Sequence, residues 1–216
     1  MLKILCIVVG PLWTNSYLIW DTKNMEGILV DPGDEGNKLI REIKRNKLNV
    51  KGIVITHGHF DHIKDAKYIG SSLNIPIMAC TKELPVIEHV SEQSVLFGFP
   101  PIQVPEINIY LNDYDHIKVG EYDFVVLNTP GHSPGSITLY NASEGVAIVG
   151  DLIFLESIGR TDIPGGDYDT LMKSIKERIL TLPDDTRLLP GHGEETTVGH
   201  ERLNNPFLTG EFRYET

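Results

Sequence analysis

Thr56-His57-Gly58-His59-Phe60-Asp61-His62 is the stretch that decides both the fold and the chemistry of this chain. In a nearly extended loop, side chains two residues apart project to the same side. We therefore expect His57 and His59 to bind one metal ion, while Asp61 and His62 turn toward another. A His-rich surface loop without chemical consequence is the alternative for such a cluster taken alone.

Outward from this stretch, three further segments place a potential ligand at the end of a predicted strand. They are Pro130-Gly131-His132-Ser133-Pro134-Gly135, Gly150-Asp151 and Pro190-Gly191-His192-Gly193. Glycine is suited to such loops because they must turn sharply and bring the backbone close to the site. Each segment alone is also compatible with an ordinary Gly/Pro turn. Together with the first cluster, they predict one shared metal centre.

The donor set is made of imidazole and carboxylate groups without thiolate. Such ligands favour zinc, iron or manganese, and they favour a catalytic site over a structural Cys-rich zinc site. We expect two divalent ions, with zinc as the first choice. The chain has only two cysteines, Cys6 and Cys80, and their spacing is not that of a pair. We expect reduced, buried thiols and a cytoplasmic protein.

The remaining apolar pattern alternates between strands and helices. Strands are predicted over residues 4–9, 17–20, 28–30, 52–55, 75–79, 107–111, 116–119, 122–127, 136–140, 146–149 and 187–189. Helices are predicted over residues 39–48, 63–73, within 82–96, and after Asp167, which is a good N-cap. Each half runs from strands to a helix. We expect a single α/β domain over residues 1–216, a four-layer αββα sandwich of two mixed sheets with helices outside.

The net charge of the chain limits the kinds of partner that it can bind. The formal net charge is −11, whereas surfaces that bind nucleic acid or anionic membranes need clustered Lys and Arg. No apolar run approaches the roughly 20 residues that a membrane-spanning helix needs. We therefore expect a small-molecule substrate and neither nucleic acid nor membrane as a partner. The oligomeric state is left open.

The order of these motifs resembles that of the metallo-β-lactamase superfamily over essentially the whole chain. Asp31, in Leu29-Val30-Asp31-Pro32-Gly33, matches an early aspartate of that pattern. The resemblance implies a first metal on His57, His59 and His132, a second on Asp61, His62 and His192, and Asp151 as the bridge between them. Asp31 would hold ligand loops in place from outside. We assign catalytic roles to Asp61 and Asp151 as metal ligands.

Within that superfamily, two segments resemble the short glyoxalase II-like proteins, a group of hydroxyacylglutathione hydrolases. One runs from Gly150-Asp151-Leu152-Ile153-Phe154 through Ser157-Ile158-Gly159-Arg160-Thr161-Asp162-Ile163-Pro164-Gly165-Gly166-Asp167, and the other is Asn205-Pro206-Phe207. The resemblance implies cleavage of a thioester such as S-lactoylglutathione by a metal-bridging hydroxide. Only about two dozen residues follow His192. We therefore expect the glutathione-binding helical region of full-length glyoxalase II to be missing.

Other functions remain open at this stage. A mononuclear iron persulfide dioxygenase would use His57, His132 and Asp151 as its two-His, one-carboxylate triad. The additional residues for a second metal favour the hydrolase. A lactonase and a nuclease of the same superfamily use similar ligands, and the acidic balance disfavours the nuclease. Arg160 is expected to pair with Asp162 and Asp167 rather than with an anionic substrate.

Overall fold

The computed structural model describes residues 1–210 and residue 212. Its strands are β1 (Leu2–Val9), β2 (Thr14–Asp21), β3 (Glu26–Val30), β4 (Asn49–Val54), β5 (Ile77–Cys80), β6 (Ile109–Leu111), β7 (His116–Val119), β8 (Tyr122–Asn128), β9 (Ile137–Asn141), β10 (Val146–Gly150), β11 (Ile153–Phe154), β12 (Ser157–Ile158), β13 (Arg187–Pro190) and β14 (Thr196–Thr197). Its helices are α1 (Gly36–Arg45), α2 (Phe60–Ile63), α3 (Ala66–Leu73), α4 (Leu84–Glu88), α5 (Val90–Leu96), α6 (Tyr168–Ser174), α7 (Val198–Asn204) and α8 (Pro206–Thr209). A 3₁₀ turn at Thr81–Glu83 precedes α4, and a π-helical turn at Ile175–Ile179 continues α6.

The first sheet contains β1 to β6 in sequence order. The first three predicted strands form a meander, because β1, β2 and β3 pair antiparallel. From β3 to β6 the strands pair in parallel, with helices in the connections. Successive residues of a strand face opposite sides of its sheet. On β2, Leu18 accordingly packs in the cluster beneath the helices, and Ile19 packs in the cluster between the sheets.

The second sheet has the order β14-β13-β10-β9-β8-β7. Only β10 and β13 pair in parallel, and the other neighbours are antiparallel, so both sheets are mixed. On β10, Ile148 points to the cluster between the sheets, while Ala147 and Val149 point to the cluster beneath the outer helices. The small pair β11 and β12 follows directly after Asp151.

Three apolar clusters separate four layers, and this confirms the predicted αββα sandwich. The first joins the first sheet to α1, α3, α4 and α5 through residues such as Leu29, Ile53, Leu39, Ile43, Ile69 and Val90. The second lies between the sheets and includes Ile28, Val54, Phe124, Val126 and Leu139. The third joins the second sheet to α6, the π-helical turn and α7 through Leu188, Leu171, Ile175, Ile179 and Val198. The N-cap role of Asp167 is also confirmed, since its side chain accepts from the Thr170 backbone N–H at 2.7 Å.

Two predicted helices differ from the structure. The segment expected to be helical after His62, as far as Leu73, begins at Phe60 and is interrupted, because the Asp65 backbone N–H donates to the Pro32 carbonyl at 3.0 Å instead of continuing the helix. The helix expected within residues 82–96 is divided at His89. There the ring Nδ1 lies 2.8 Å from the Pro85 carbonyl and takes the place of a backbone donor.

The expectation that both cysteines are buried is wrong for Cys6. Cys80 is buried, whereas Cys6 is exposed because β1 is the edge strand of its sheet. Burial of part of the side chain still raises the pKa of the Cys6 thiol. Within residues 1–210 and 212, no helix combines the length and the apolar character that crossing a membrane would need.

The cluster between the sheets gives a stability prediction. Phe124 is fully buried there, so Phe124→Ala should lower the free energy of unfolding by about 3–5 kcal/mol through lost burial and the cavity left behind. Tyr110 lies on β6 and is 52% exposed, so Tyr110→Ala is a matched control expected to change it by less than about 0.5 kcal/mol. Urea denaturation of both variants measures this. Similar losses for the two would contradict the assigned core.

Candidate metal centre

All seven predicted ligands lie at one end of the two sheets. His57 and His59 are in the loop that follows β4, and Asp61 and His62 are in the first turn of α2. The other three follow β8, β10 and β13, in the order His132, Asp151, His192. The helical start at Phe60 explains how two adjacent residues, Asp61 and His62, both point to the centre.

One donor group consists of His57, His59 and His132. One potential ligand atom from each of these buried rings lies within 4.8 Å of the others. The closest pair is His59 Nδ1 and His132 Nε2, at 2.8 Å. This is the set expected for the first metal.

A second donor group consists of Asp61, His62 and His192, again with one atom from each within 4.8 Å of the others. Asp61 Oδ2 is 3.2 Å from His192 Nε2 and 3.7 Å from His62 Nε2. The two ring nitrogens are 3.2 Å apart. This is the set expected for the second metal.

Asp151 lies between the two groups. Its Oδ2 is 3.6 Å from Nε2 of His132 in the first group and 3.6 Å from Nε2 of His192 in the second. Its Oδ1 is 3.4 Å from His62 Nε2. One carboxylate therefore reaches both groups, as a bridging ligand must.

The chemistry of these atoms fits divalent cations. Among the described residues, His57 Nε2 and Asp151 Oδ1 are buried and have no hydrogen-bond partner, which is costly unless a further group binds them. Burial lowers the pKa of His57 well below its usual value and that of His59 to about 3, so both rings are neutral and offer a lone pair. These are the forms in which imidazole binds metal.

The charges at the centre support the same conclusion. Burial lowers the pKa of His62, yet Asp151 and Asp61 overcome that effect and raise it well above its usual value. Burial opposes ionisation of Asp151 too, but the neighbouring His62 holds the pKa of that carboxyl well below its usual range. The two carboxylates therefore attract positive charge to this point, as a cation site requires.

In four of the ligand imidazoles, the outer ring nitrogen, which faces away from the centre, contacts a partner. This contact directs the inner ring nitrogen toward the centre. The outer contacts are His57 Nδ1 to Thr56 Oγ1 at 3.1 Å, His62 Nδ1 to Asp31 Oδ2 at 3.0 Å, His132 Nδ1 to the Arg160 carbonyl at 2.8 Å and His192 Nδ1 to the Leu12 carbonyl at 3.0 Å. Asp31 also accepts from the Thr56 backbone N–H and hydroxyl, at 2.8 and 2.6 Å. The structure thus brings Asp31 to the position expected for a residue that holds ligand loops.

Comparison with known proteins identifies the family. The family model described as the metallo-beta-lactamase superfamily matches residues 9–192. The chain belongs to the metallo-β-lactamase superfamily. Members of this superfamily are generally metal-dependent hydrolases that act on small-molecule substrates, so the superfamily and the site geometry agree.

Individual relatives of this superfamily match along nearly the whole chain. The protein named hydroxyacylglutathione hydrolase GloC from Haemophilus influenzae is 38% identical, covering 95% of this chain and 97% of the relative. The crystal structure titled BLEG-1 B3 metallo-beta-lactamase is 39% identical with a TM-score of 0.89, covering 97% of this chain and all of that one. The structure titled TTHA1623 in a di-iron-bound form is 36% identical with a TM-score of 0.87, covering 94% of this chain and all of that one. The metallo-β-lactamase fold is therefore shown.

Glu83 is a residue of this metallo-β-lactamase site that the sequence did not reveal. Its carboxylate is buried and accepts from the Gly58 backbone N–H at 2.8 Å and from the Gly135 backbone N–H at 2.6 Å. It therefore joins the loop of His57 and His59 to the loop of His132. In the sequence it is simply an acidic residue before a helix, and no spacing marks it.

β2 holds the His192 loop, which sequence reasoning also missed. The Asn15 side-chain amide donates to the carbonyls of Pro190 and Gly193 at 3.0 and 2.9 Å, and the Tyr17 hydroxyl donates to the Pro190 carbonyl at 2.6 Å. A Cβ on Gly191 would lie 2.1 Å from Asp151 Oδ1, so this loop needs glycine to approach the centre. The expected role of the flanking glycines is confirmed there.

Arg160 pairs with a neighbouring acid, as expected. Its Nε and one terminal nitrogen donate to the two carboxylate oxygens of Asp162 at 2.7 and 2.8 Å. Its own carbonyl holds His132. The pairing therefore orders the loop that positions a ligand of the metallo-β-lactamase centre.

The Glu83 contacts give the second prediction. Glu83→Ala leaves two buried backbone N–H groups without an acceptor, each worth about 1–3 kcal/mol, so the free energy of unfolding should fall by about 2–6 kcal/mol. Metal retained after dialysis, measured by mass spectrometry, should fall as well, since the two ligand loops lose their connection. Glu88→Ala, at an exposed position of α4, is the control and should change neither quantity. Full metal retention by Glu83→Ala would contradict the positioning role.

Proposed function

We propose that this chain is a hydrolase with two divalent metal ions that cleaves thioesters. The observation that carries the proposal is the place of Asp151, within 3.4–3.6 Å of ring nitrogens in both donor groups. A mononuclear site does not need the second group. The presence of both groups around one carboxylate supports two ions.

The ligand sets follow from the geometry. The first ion would be held by His57, His59 and His132, the second by Asp61, His62 and His192, and Asp151 would touch both. When bound, such ions lower the pKa of a coordinated water and polarise the substrate carbonyl. Nitrogen and carboxylate donors suit zinc, and we propose zinc, with iron as the alternative because the similar structure TTHA1623 is titled as di-iron-bound.

The cavity above the centre points to water as the nucleophile. Its lining residues include no serine, threonine, cysteine or lysine among those that the structure describes. Ser133 and Ser136, the serines close to His132 in sequence, are buried and hydrogen-bonded to each other at 2.6 Å. A covalent acyl-enzyme on a hydroxyl, thiol or amine therefore has no side chain in the described lining on which to form, and direct hydrolysis is favoured.

Asp61 and Asp151 are the residues to which we assign catalytic roles. Asp61 Oδ2 accepts from the Thr14 hydroxyl at 3.3 Å and lies 3.2 Å from His192 Nε2, so this oxygen is held toward the second donor group. Burial opposes ionisation of both carboxyls, but the neighbouring His62 lowers the pKa of each below its usual value, so neither holds a proton for a leaving group. A thiolate with a pKa of about 8.5 leaves without such a donor, which favours a thioester over an ordinary ester or amide. The name of the Haemophilus influenzae relative supports the same bond type.

The proposal is tested by one set of assays on purified, metal-quantified protein. The substrates are S-lactoylglutathione, hexanoyl-N-acetylcysteamine, a simple lactone, a β-lactam and glutathione persulfide with an oxygen electrode. We expect two metal ions per chain and thiol release from at least one thioester, without oxygen uptake. One iron per chain with oxygen consumption on the persulfide would replace the hydrolase by a dioxygenase. Turnover of only the lactone or the β-lactam would retain the hydrolase and exclude the thioester.

Removal of the shared carboxylate gives the third prediction. Asp151→Ala removes the one residue that touches both donor groups and leaves buried imidazoles unbalanced, so thioester hydrolysis should fall by at least about a thousandfold, a loss of about 4 kcal/mol in transition-state stabilisation. Metal content should fall below two ions per chain. Asp123→Ala is the matched control, because Asp123 pairs with His116 and Lys118 and is remote from the cavity. Unchanged turnover in Asp151→Ala would reject the proposed centre.

A further inference from the structure

The cavity above the metal centre has a floor and walls of opposite character. Its volume is about 950 Å³, and the floor is formed by ligands of both metal groups, among them His59, Asp61, His132, Asp151 and His192. The walls come from three other places: the turn before β2, the helices α4 and α5, and the loop before α6. Pockets of this size accommodate drug-sized molecules. The walls therefore contact the parts of a substrate that do not react.

The walls expose large apolar side chains to water. Leu96 and Phe97, at the end of α5, are 81% and 48% exposed, and Leu12, in the turn before β2, is 41% exposed. Val86 and Ile163 line the same cavity. Apolar groups that surround a cavity without being covered by the fold mark a surface that binds an apolar group.

The charges of the walls do not suit an anionic substrate. The one Lys or Arg among the described lining residues is Arg160, and Asp162 already accepts from its guanidinium group at two positions. Glu92 adds a negative charge to the walls. The His89 ring also lines them, and its Nδ1 already contacts the Pro85 carbonyl. Glutathione carries two carboxylates, which gain affinity from cationic partners and lose it beside a carboxylate.

We propose that the cavity selects thioesters with an uncharged apolar arm, and that glutathione is not the group it recognises. This inference rests on the proposed thioester hydrolysis and specifies its substrate class. The apolar arm lies against Leu12, Leu96 and Phe97, and the thioester carbonyl lies over the floor. Burial of each methylene of the arm is worth up to about fourfold in affinity. Affinity then rises with arm length and gains nothing from the peptide charges of glutathione.

Binding of uncleavable thioethers tests this without relying on catalysis. Four probes are titrated calorimetrically into the metal-loaded protein: S-methyl- and S-hexyl-N-acetylcysteamine, and S-methyl- and S-hexylglutathione. In both series the hexyl compound should bind at least about tenfold more tightly than the methyl compound. S-hexylglutathione should bind no more than about threefold more tightly than S-hexyl-N-acetylcysteamine. Tenfold preference for the glutathione compound, or no effect of the hexyl arm, would overturn the inference.

A matched pair of leucine variants locates the arm, and this is the fourth prediction. Leu96→Ser should weaken binding of S-hexyl-N-acetylcysteamine about three- to tenfold and leave the S-methyl compound unchanged, because only the longer arm reaches α5. Leu203→Ser is the control: Leu203 is 75% exposed on α7 and is outside the cavity. Both side chains are exposed, so neither variant should lose its fold. Equal losses, or none, in the two variants would overturn the placement of the arm.

The same samples distinguish the inference from the proposed function. Cleavage of hexanoyl-N-acetylcysteamine at a higher kcat/KM than S-lactoylglutathione supports both. Tight hexyl binding without cleavage of any thioester overturns the hydrolase and retains the apolar site. Cleavage of S-lactoylglutathione in preference to the hexanoyl compound retains the hydrolase and overturns the apolar site.

Discussion

The centre depends on one carboxylate, that of Asp151, whose Oδ1 is buried. It reaches ring nitrogens of His62, His132 and His192 at 3.4–3.6 Å, and its Oδ1 has no hydrogen-bond partner among the described residues. A charge in this position costs several kcal/mol unless opposite charge compensates it. The groups that compensate it come from both sheets, because His62 follows a strand of the first sheet and His132 and His192 follow strands of the second. The sheets are joined at the same end by the Ile137 backbone N–H, which donates to the Thr56 carbonyl at 2.9 Å.

Much of this arrangement was predictable from the sequence, because the decisive features are local. The continuous apolar runs Tyr17 to Trp20 and Val146 to Val149 indicate strands that are buried on both faces, and four short motifs at strand ends supply the metal ligands. The prediction went wrong where a long-range contact overrode the local pattern. Asp65 ends a helix by donating to the Pro32 carbonyl, and Cys6 is exposed because its strand lies at a sheet edge. Neither partner nor edge is visible in the residues themselves.

The residues that support the ligands were harder to predict than the ligands. Glu83 contacts backbone groups 25 and 52 positions away, and Asn15 contacts a carbonyl 175 positions away. Backbone N–H and carbonyl groups belong to every residue, so such contacts leave no signature of residue type or spacing at the other end. Metal ligation, in contrast, demands particular side chains. This is why a donor set can be inferred from sequence while the framework that holds it requires the fold.

The residues that select the substrate line the walls of the cavity. Like the residues that support the ligands, they leave no signature in the sequence. The residue types on the floor are restricted, because each metal ligand must supply a lone pair at a fixed point. Leu12, Leu96 and Phe97 have no such restriction, and in sequence an apolar residue at the end of α5 looks the same whether it is buried or exposed. A protein with this fold can therefore keep the metal ligands of the floor while the residues of the walls differ. An apolar arm seated on these walls also excludes water from the floor, where a lower dielectric strengthens the field that acts on the thioester carbonyl. Affinity for the arm and reactivity at the carbonyl are in this way coupled through the same three side chains.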